Sequence, residues 1–303
     1  MELTREEKVK LVTGKGMWKT KTLGGKVKSI HLSDGPHGLR TQLTNSLTDS
    51  ESIPATCFPT ASALACSFDE KLMEELAEAL ALEAKERGVD ILLGPGINIK
   101  RHPLGGRNFE YFSEDPYLTG RLAISYIKKL QEEGVGASLK HFAGNNQERR
   151  RQTQNSMIDE RALREIYLKA FEMVVKEAEP ATIMSSYNRL GGIHVNESKE
   201  LQWDILRGEW GYKGLIVSDW GAVVDLSKAL AAGLDLEMPD SAGYHEKEVL
   251  EDLTNNILDE EHLDRATKNI IQLSKTYDNS ELRTSHHTEQ PKSGWRAIRF
   301  ITD

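Results

Sequence analysis

Excess basic charge, paired cysteines and long apolar runs are all scarce in this sequence, and each scarcity removes a class of function. The 303 residues carry 39 Lys and Arg against 47 Asp and Glu, a formal net charge of −8. That balance lacks the basic footprint of a nucleic-acid or anionic-membrane binder. The two cysteines, Cys57 and Cys66, form neither a CxxC pair nor a Cys/His cluster, so neither a disulfide framework nor a structural zinc site is indicated. Free thiols in a reducing compartment are expected. The opening stretch, MELTREEKVKLVTGKG, is charged and amphipathic and lacks the roughly 7–15-residue apolar run of a signal peptide. No segment reaches the ~18 apolar residues of a membrane span, and a cytoplasmic location is expected. Nucleotide signatures are missing as well. There is no GxxxxGK[ST], and the glycines at 94, 96, 105, 106, 134 and 136 do not make a GxGxxG that opens a helix. Nor is there an HExxH; His37, His102 and His141 lie on different candidate loops, a poor arrangement for a metal. No cofactor is expected.

What is present is ordinary globular composition, 38% hydrophobic, organised by an alternation that runs from residue 69 to 276. Long helix-period segments alternate with short, nearly all-apolar runs, the pattern of parallel strands joined by crossover helices. The spacing predicts a helix over 69–87, with Leu72, Leu76, Leu80 and Ala84 on one stripe and a stop at Gly88. Asp115 followed by Pro116 is a cap-then-proline start for a helix over 116–133. Further helices are predicted over 159–178, 197–210, 222–232, 246–257 and 260–276. The apolar runs between them are 89–93, 135–139, 182–185, 215–217 and 234–236. Their Val, Ile and Leu content fits strands buried on both faces.

Polar residues follow these runs in the strings LSDGPHG, LLGPGIN, LKHFAGNN, MSSYNR, IVSDWG and LEMP. In a (β/α)8 barrel the active site is assembled from the loops after the strands; in an open doubly wound sheet it lies at one switch point. Polar termini on six strands spread along some 200 residues favour the ring, so an α/β fold of the (β/α)8 TIM type is expected over residues 1–277. The stretch 278–303 loses the alternation and reads as a polar tail or linker stub.

Asp219 stands just after an apolar strand and beside Trp220. A carboxylate at a barrel mouth against an indole suits a glycosidase nucleophile, since it combines low solvation, a fixed approach angle and an aromatic surface for a sugar's apolar face. An Asp there is equally a helix N-cap. Lys140 and His141 also end a strand and could bracket vicinal hydroxyls; the competing structural reading is a lysine paired with a carboxylate and a histidine bonded to backbone. Arg107 follows Gly105 and Gly106, where a ligand can approach closely, or else ties Glu110, or Glu114 and Asp115, together.

Seven strings together closely resemble the N-terminal barrel domain of family 3 glycoside hydrolases, in the β-glucosidase branch. They are SDGPHGLR (33–40), FPTASALACSFD (58–69), GPGINIKRHPLGGRNFEYFSEDP (94–116), LKHFAGNNQERRR (139–151), MSSYNRLGG (184–192), LRGEWGYKGLIVSDWGA (206–222) and AAGLDLEMP (231–239). They occur in the family's order and at its spacings, from about residue 3 to about residue 287. The resemblance implies a retaining exo-acting β-glycosidase that acts on terminal β-D-glucosyl residues, with Asp219 as the nucleophile that forms a covalent glycosyl-enzyme. It further implies that Asp34, Arg107, Lys140, His141, Arg151 and Tyr187 hold the sugar's hydroxyls or orient the nucleophile, that Trp220 walls the subsite, and that no cofactor is used. Irregularity near the N-terminal strands is implied too.

One departure matters. In this branch the general acid/base is a Glu in a second, α/β-sandwich domain, and past His286-His287 the sequence TEQPKSGWRAIRFITD does not match the family. The KHFPGHG-type loop from which related N-acetylglucosaminidases take a His reads KHFAGNNQE here. No acid/base residue is identified in the chain, so impaired hydrolysis of natural β-glucosides is expected, with a non-catalytic carbohydrate-binding remnant as the alternative. A barrel face left without its partner domain is expected to favour homo-oligomers.

Overall fold

The computed structural model describes residues 3–42 and 52–280, so the predicted tail lies, beyond Ser280, outside the described residues. Five parallel strands form the main sheet: β3 (Leu32–Asp34), β4 (Ile91–Leu93), β5 (Gly136–Phe142), β7 (Thr182–Ser185) and β10 (Leu215–Ser218), in the order β10-β7-β5-β4-β3. Hydrogen bonds continue past both edges. On one side Leu236 bridges Val217 in parallel, and Glu237 bridges Thr13. There the Gly14 N–H donates to the Glu237 carbonyl (3.0 Å) and the Glu237 N–H to the Val12 carbonyl (2.8 Å). The chain then runs through β1 (Gly14–Lys15) and β2 (Lys19–Thr20), which pair antiparallel. Lys19 bridges His31 antiparallel, and the Leu32 N–H donates to the Trp18 carbonyl (2.8 Å), which leads back to β3. The strands and bridges thus connect into a ring, and the irregularity expected at the N-terminal strands is β2, antiparallel to both its neighbours.

The helices lie outside the ring and form where their stripes and caps dictate. Asp69 caps Glu70–Glu86 by accepting from the Lys71 and Leu72 amides; Asp115 does the same for Pro116–Glu132 with Pro116 in the first turn. The two helices pack on each other, and the second packs on Lys169–Ala178. Leu76, Leu80, Leu122 and Leu130 are buried in these faces, each worth about 1.5–3 kcal/mol of transfer free energy. The helix expected over 159–178 is not continuous. A one-turn widening over Leu163–Tyr167 separates Glu160–Ala162 from Lys169–Ala178, and Glu200–Glu209 is widened along its whole length. A small lateral sheet, β6 (Asn155–Ser156), β8 (Arg189–Leu190) and β9 (Ile193–His194), brings the loops after β5 and β7 together.

Candidate active site

The ends of the parallel strands deliver the polar residues to one place. At β10, Ser218 is the last paired residue, and Asp219 follows with its backbone N–H donating to the Ser185 carbonyl (3.0 Å). Its side chain does not cap a helix: the next one, Leu226–Ala232, is capped by Asp225. Instead Asp219 Oδ1 accepts from the Trp220 amide (2.8 Å), and Oδ2 is buried with no hydrogen-bond partner. Burial pushes the Asp219 carboxyl above its ordinary pKa, and the Arg107 charge, the Trp220 amide and the Lys140 charge pull it partly back.

A break in strand alternation places two consecutive residues toward this carboxylate. Side chains along a strand normally alternate between faces, but the β5–β7 register shifts between Lys140 and Phe142, a bulge that re-aims the chain. Lys140, 3% exposed, donates to Asp34 Oδ1 (3.0 Å) and lies 2.9 Å from Glu110 Oε1. Burial opposes its charge, yet Asp34 and Glu110 more than offset that, and the ammonium is held above the ordinary lysine pKa. His141 puts Nε2 3.7 Å from Asp219 Oδ2. Its burial, then the Arg107 and Lys140 charges, push its pKa well below the ordinary value, so the ring is neutral. Asn98 holds its backbone from the parallel loop after β4: the His141 N–H donates to Asn98 Oδ1 (2.8 Å), and Asn98 Nδ2 donates to the His141 carbonyl (2.9 Å).

Arg107 resolves in favour of one of its structural partners while remaining at the site. Its Nε and Nη2 donate to Glu110 Oε2 and Oε1 (2.7 and 2.8 Å), a bidentate pair, whereas Asp115 is occupied with its helix cap. Glu110 is therefore shared by two cations. Burial works to raise its pKa, but Lys140 and Arg107 outweigh it and hold the carboxyl far below the usual range. Asp34 reaches the site from the end of β3, where the turn that follows needs glycine. Gly35 has φ +116°, and a Cβ there would sit 1.9 Å from the Gly38 carbonyl oxygen.

The remaining predicted residues form the other wall. Tyr187 donates its hydroxyl to the Trp220 carbonyl (2.8 Å), and the Arg151 guanidinium lies over its ring, 4.4 Å from the centroid. Trp220 Nε1 donates to the Met17 carbonyl (2.7 Å), and its ring meets that of Trp18 at 5.6 Å between centroids. All eight residues singled out in the sequence are linked in this way, directly or through one neighbour. Sequence reasoning did not single out Asn98, Tyr111, Asn145 or Trp18 at all, and weighed Glu110 as a partner for Arg107. The first three, with Glu110, lie inside the quoted strings GPGINIKRHPLGGRNFEYFSEDP and LKHFAGNNQERRR, which was their only signal. Two cysteines, Cys57 and Cys66, are exposed and unpaired. Among the described residues the acidic and histidine side chains close enough together to hold a metal are Asp259, Glu261 and His262, at the solvated start of the helix Glu260–Thr276; His37, His102 and His141 form no such group.

A neutral imidazole, buried cations and a buried carboxylate with one unpartnered oxygen offer donors and acceptors suited to a polyhydroxylated ring. Residues 51–273 match the glycosyl hydrolase family 3 N terminal domain. Thermostable β-glucosidase B of Acetivibrio thermocellus is 50% identical over 277 residues, 90% of this chain and 36% of the relative. An exo-α-(1→6)-L-arabinopyranosidase of Bifidobacterium longum is 46% identical over 276 residues, again 90% of this chain and 36% of the relative. Among solved structures, β-glucosidase 3B from Thermotoga neapolitana in complex with α-D-glucose superposes with TM-score 0.88 at 37% identity, covering 97% of this chain and 45% of that one. The β-glucosidase from Kluyveromyces marxianus in complex with glucose gives TM-score 0.90 at 34% identity, covering 99% of this chain and 37% of that one. The chain spans about a third of the length of the curated relatives it matches. With a family domain matched over residues 51–273 and barrel-end residues gathered around one buried carboxylate, this chain belongs to glycosyl hydrolase family 3.

Proposed function

We propose that the chain carries the sugar-binding and nucleophilic half of a retaining β-glucosidase. The observation that carries this reading is Asp219: a buried carboxylate with one oxygen anchored by the Trp220 amide and the other, Oδ2, unpartnered. In the proposed reaction Oδ2 attacks the anomeric carbon, a C–O bond to Asp219 forms as the bond to the leaving-group oxygen breaks, and water later hydrolyses the glycosyl-enzyme. Arg107 and Lys140 oppose the effect of burial on the Asp219 carboxyl, and the same groups, with Asp34, His141, Arg151 and Tyr187, meet the hydroxyls of the glucosyl ring. Trp220 faces the ring's apolar side.

Departure of the leaving group needs a proton, and the acidic groups near Asp219 are engaged elsewhere. Glu110 is held ionised by Arg107 and Lys140, Glu148 accepts from Arg151 and Asn145, and Glu237 bonds His245. The reading therefore takes the acid/base from outside the described residues. General acid/base assistance is worth about 10²–10⁴-fold, roughly 3–5 kcal/mol of barrier, so these residues alone are expected to process an activated aryl glucoside and to hydrolyse cellobiose slowly. Glucose-bound structures of similar proteins support a glucosyl ligand; the arabinopyranosidase relative makes an arabinopyranoside the comparison substrate.

Incubation with 2,4-dinitrophenyl 2-deoxy-2-fluoro-β-D-glucoside tests the reading. A fluoroglucosyl adduct on Asp219, found by mass spectrometry and absent in Asp219→Asn, is the expected result. Sugar binding without any adduct would replace it by the non-catalytic reading, and cellobiose turnover at the rate of the aryl glucoside would place a proton donor among these residues.

A further inference from the structure

We propose that Tyr111 and Asn145 are positioning residues that fix the His141 ring with its proton on Nε2, as a hydrogen-bond donor beside Asp219. The sugar as acceptor of that bond rests on the glycosidase reading; the tautomer does not.

The assignment follows from the buried neighbours. Asn145 is wholly buried, and its Nδ2 lies 3.1 Å from Glu148 Oε1 and 3.4 Å from Tyr111 Oη. The Glu148 carboxyl accepts from the Arg151 guanidinium through Oε2 and presents Oε1 as an acceptor, so the amide nitrogen and not the amide oxygen faces it, which fixes the orientation of the amide. The second N–H of that nitrogen donates to Tyr111 Oη. With its oxygen accepting from Asn145, Tyr111 directs its one proton to its other neighbour, His141 Nδ1, at 3.1 Å. A neutral imidazole that accepts at Nδ1 carries its hydrogen on Nε2. Rotation of the ring is restricted as well: Tyr111 meets it edge-on at 79°, with 6.0 Å between centroids.

The separation of 3.7 Å between Nε2 and Asp219 Oδ2 is too long for a direct hydrogen bond. Donor and orphaned acceptor are both left facing the same space. A ligand hydroxyl there receives the Nε2 proton on its oxygen, while Asp219 stays free to act on carbon. The opposite tautomer would present a lone pair beside the carboxylate, repelling it and accepting rather than donating. Glu148 also accepts from Arg151 (3.1 Å), so the same chain of bonds that sets the imidazole tethers the cation over Tyr187.

The test compares the parent chain with Tyr111→Phe, which removes one buried oxygen, and with Asn145→Ala. Ring ¹⁵N resonances of His141, assigned by their loss in His141→Gln, are expected to show a single Nε2–H tautomer at pH 7 in the parent. In Tyr111→Phe a substantial Nδ1–H population is expected, with a thermal midpoint near that of the parent. Labelling by the dinitrophenyl fluoroglucoside should slow about tenfold in Tyr111→Phe, chiefly in the rate at saturation rather than in half-saturating concentration. An Nδ1–H tautomer or an imidazolium in the parent overturns the inference, and so does a Tyr111→Phe variant with unchanged tautomer and labelling. If the parent is not labelled at all, the glycosidase reading falls while the resonances still decide the tautomer.

Discussion

Neutralising Glu110 is the perturbation whose cost can be worked out from the geometry most directly. Glu110→Gln keeps the volume of a side chain that is 6% exposed but deletes the charge that Arg107 grips through two bonds and that Lys140 approaches to 2.9 Å. Lys140 retains only Asp34, and Arg107 loses its carboxylate. Removing one partner of a buried ion pair costs about 3–5 kcal/mol, because the remaining charge is left uncompensated. At about 2–4 °C per kcal/mol for domains of 150–250 residues, the thermal midpoint at pH 7 should fall by roughly 6–20 °C. The pH dependence has a definite sign. Because the folded-state pKa of Glu110 lies far below the ordinary carboxyl value of 4.5, its contribution is complete above about pH 4.5 and drains away as pH falls below it. The parent and Glu110→Gln should therefore converge in stability on acidification. Thermal unfolding followed by circular dichroism from pH 3 to pH 8 reads both effects. Adding Lys140→Met to Glu110→Gln should recover part of the loss, since a cation without its counter-charge is worse than none. A Glu110→Gln chain that melts within about 2 °C of the parent at pH 7, or a double variant that loses the sum of the single losses, would refute the shared-clamp argument.

Glu83 should behave in the opposite sense. It is buried, accepts only from the Thr56 amide (2.9 Å), and burial pushes its pKa up to about 7. A raised carboxyl pKa adds stability below about pH 4.5 that is lost as pH rises to about 7. Glu83→Gln should remove that loss, worth about 3 kcal/mol, and denaturant titrations at pH 4.5 and pH 8 would measure it. Asp235 has no exposed surface and is held by Arg207, by Arg265 (3.4 Å), by Asn269 (3.1 Å) and by the Ile216 amide (2.8 Å). Asp235→Ala should cost about 3–5 kcal/mol while the folded fraction still reacts at Asp219, as urea unfolding and adduct mass spectrometry would show. Leu104, Met157 and Val224 are 86%, 78% and 60% exposed on loops after the strands; concentration-dependent self-association is expected in sedimentation velocity, weakened by Leu104→Ser, and a concentration-independent monomer would contradict it.

How much of this was legible in the sequence depended on whether a residue's environment is local. The runs at 182–185 and 215–217 became β7 and β10 because strands covered on both faces must be apolar throughout, a property visible residue by residue. Asp115-Pro116 marked a helix start for the same reason: the cap and its amides are neighbours in the chain. The strand hairpin β1–β2 was not read, since Gly14–Lys15 and Lys19–Thr20 are two-residue pairings in a polar stretch and carry no periodicity. The widened turn at Leu163–Tyr167 left the amphipathic period nearly intact and so escaped notice. At the site, Asp219 and Lys140 stood out because they end apolar strands. Glu110, Tyr111 and Asn145 sit in loops where a polar or aromatic residue ordinarily meets solvent; only the tertiary structure, which seals them beneath Arg107, His141 and Glu148, gives them work.

The closure of the ring through residues 13–20 has a consequence for how the molecule is assembled. Thr13 pairs with Glu237, and the Met17 carbonyl accepts from the indole of Trp220, 203 positions later. Loops of that span are entropically expensive to close and slow topologies of high contact order. A nascent chain can pair β2 with β3 early, but β1 waits for its Glu237 neighbour until β10 and the segment behind it have been synthesised, so the wall beside Asp219 is set only when the barrel locks shut.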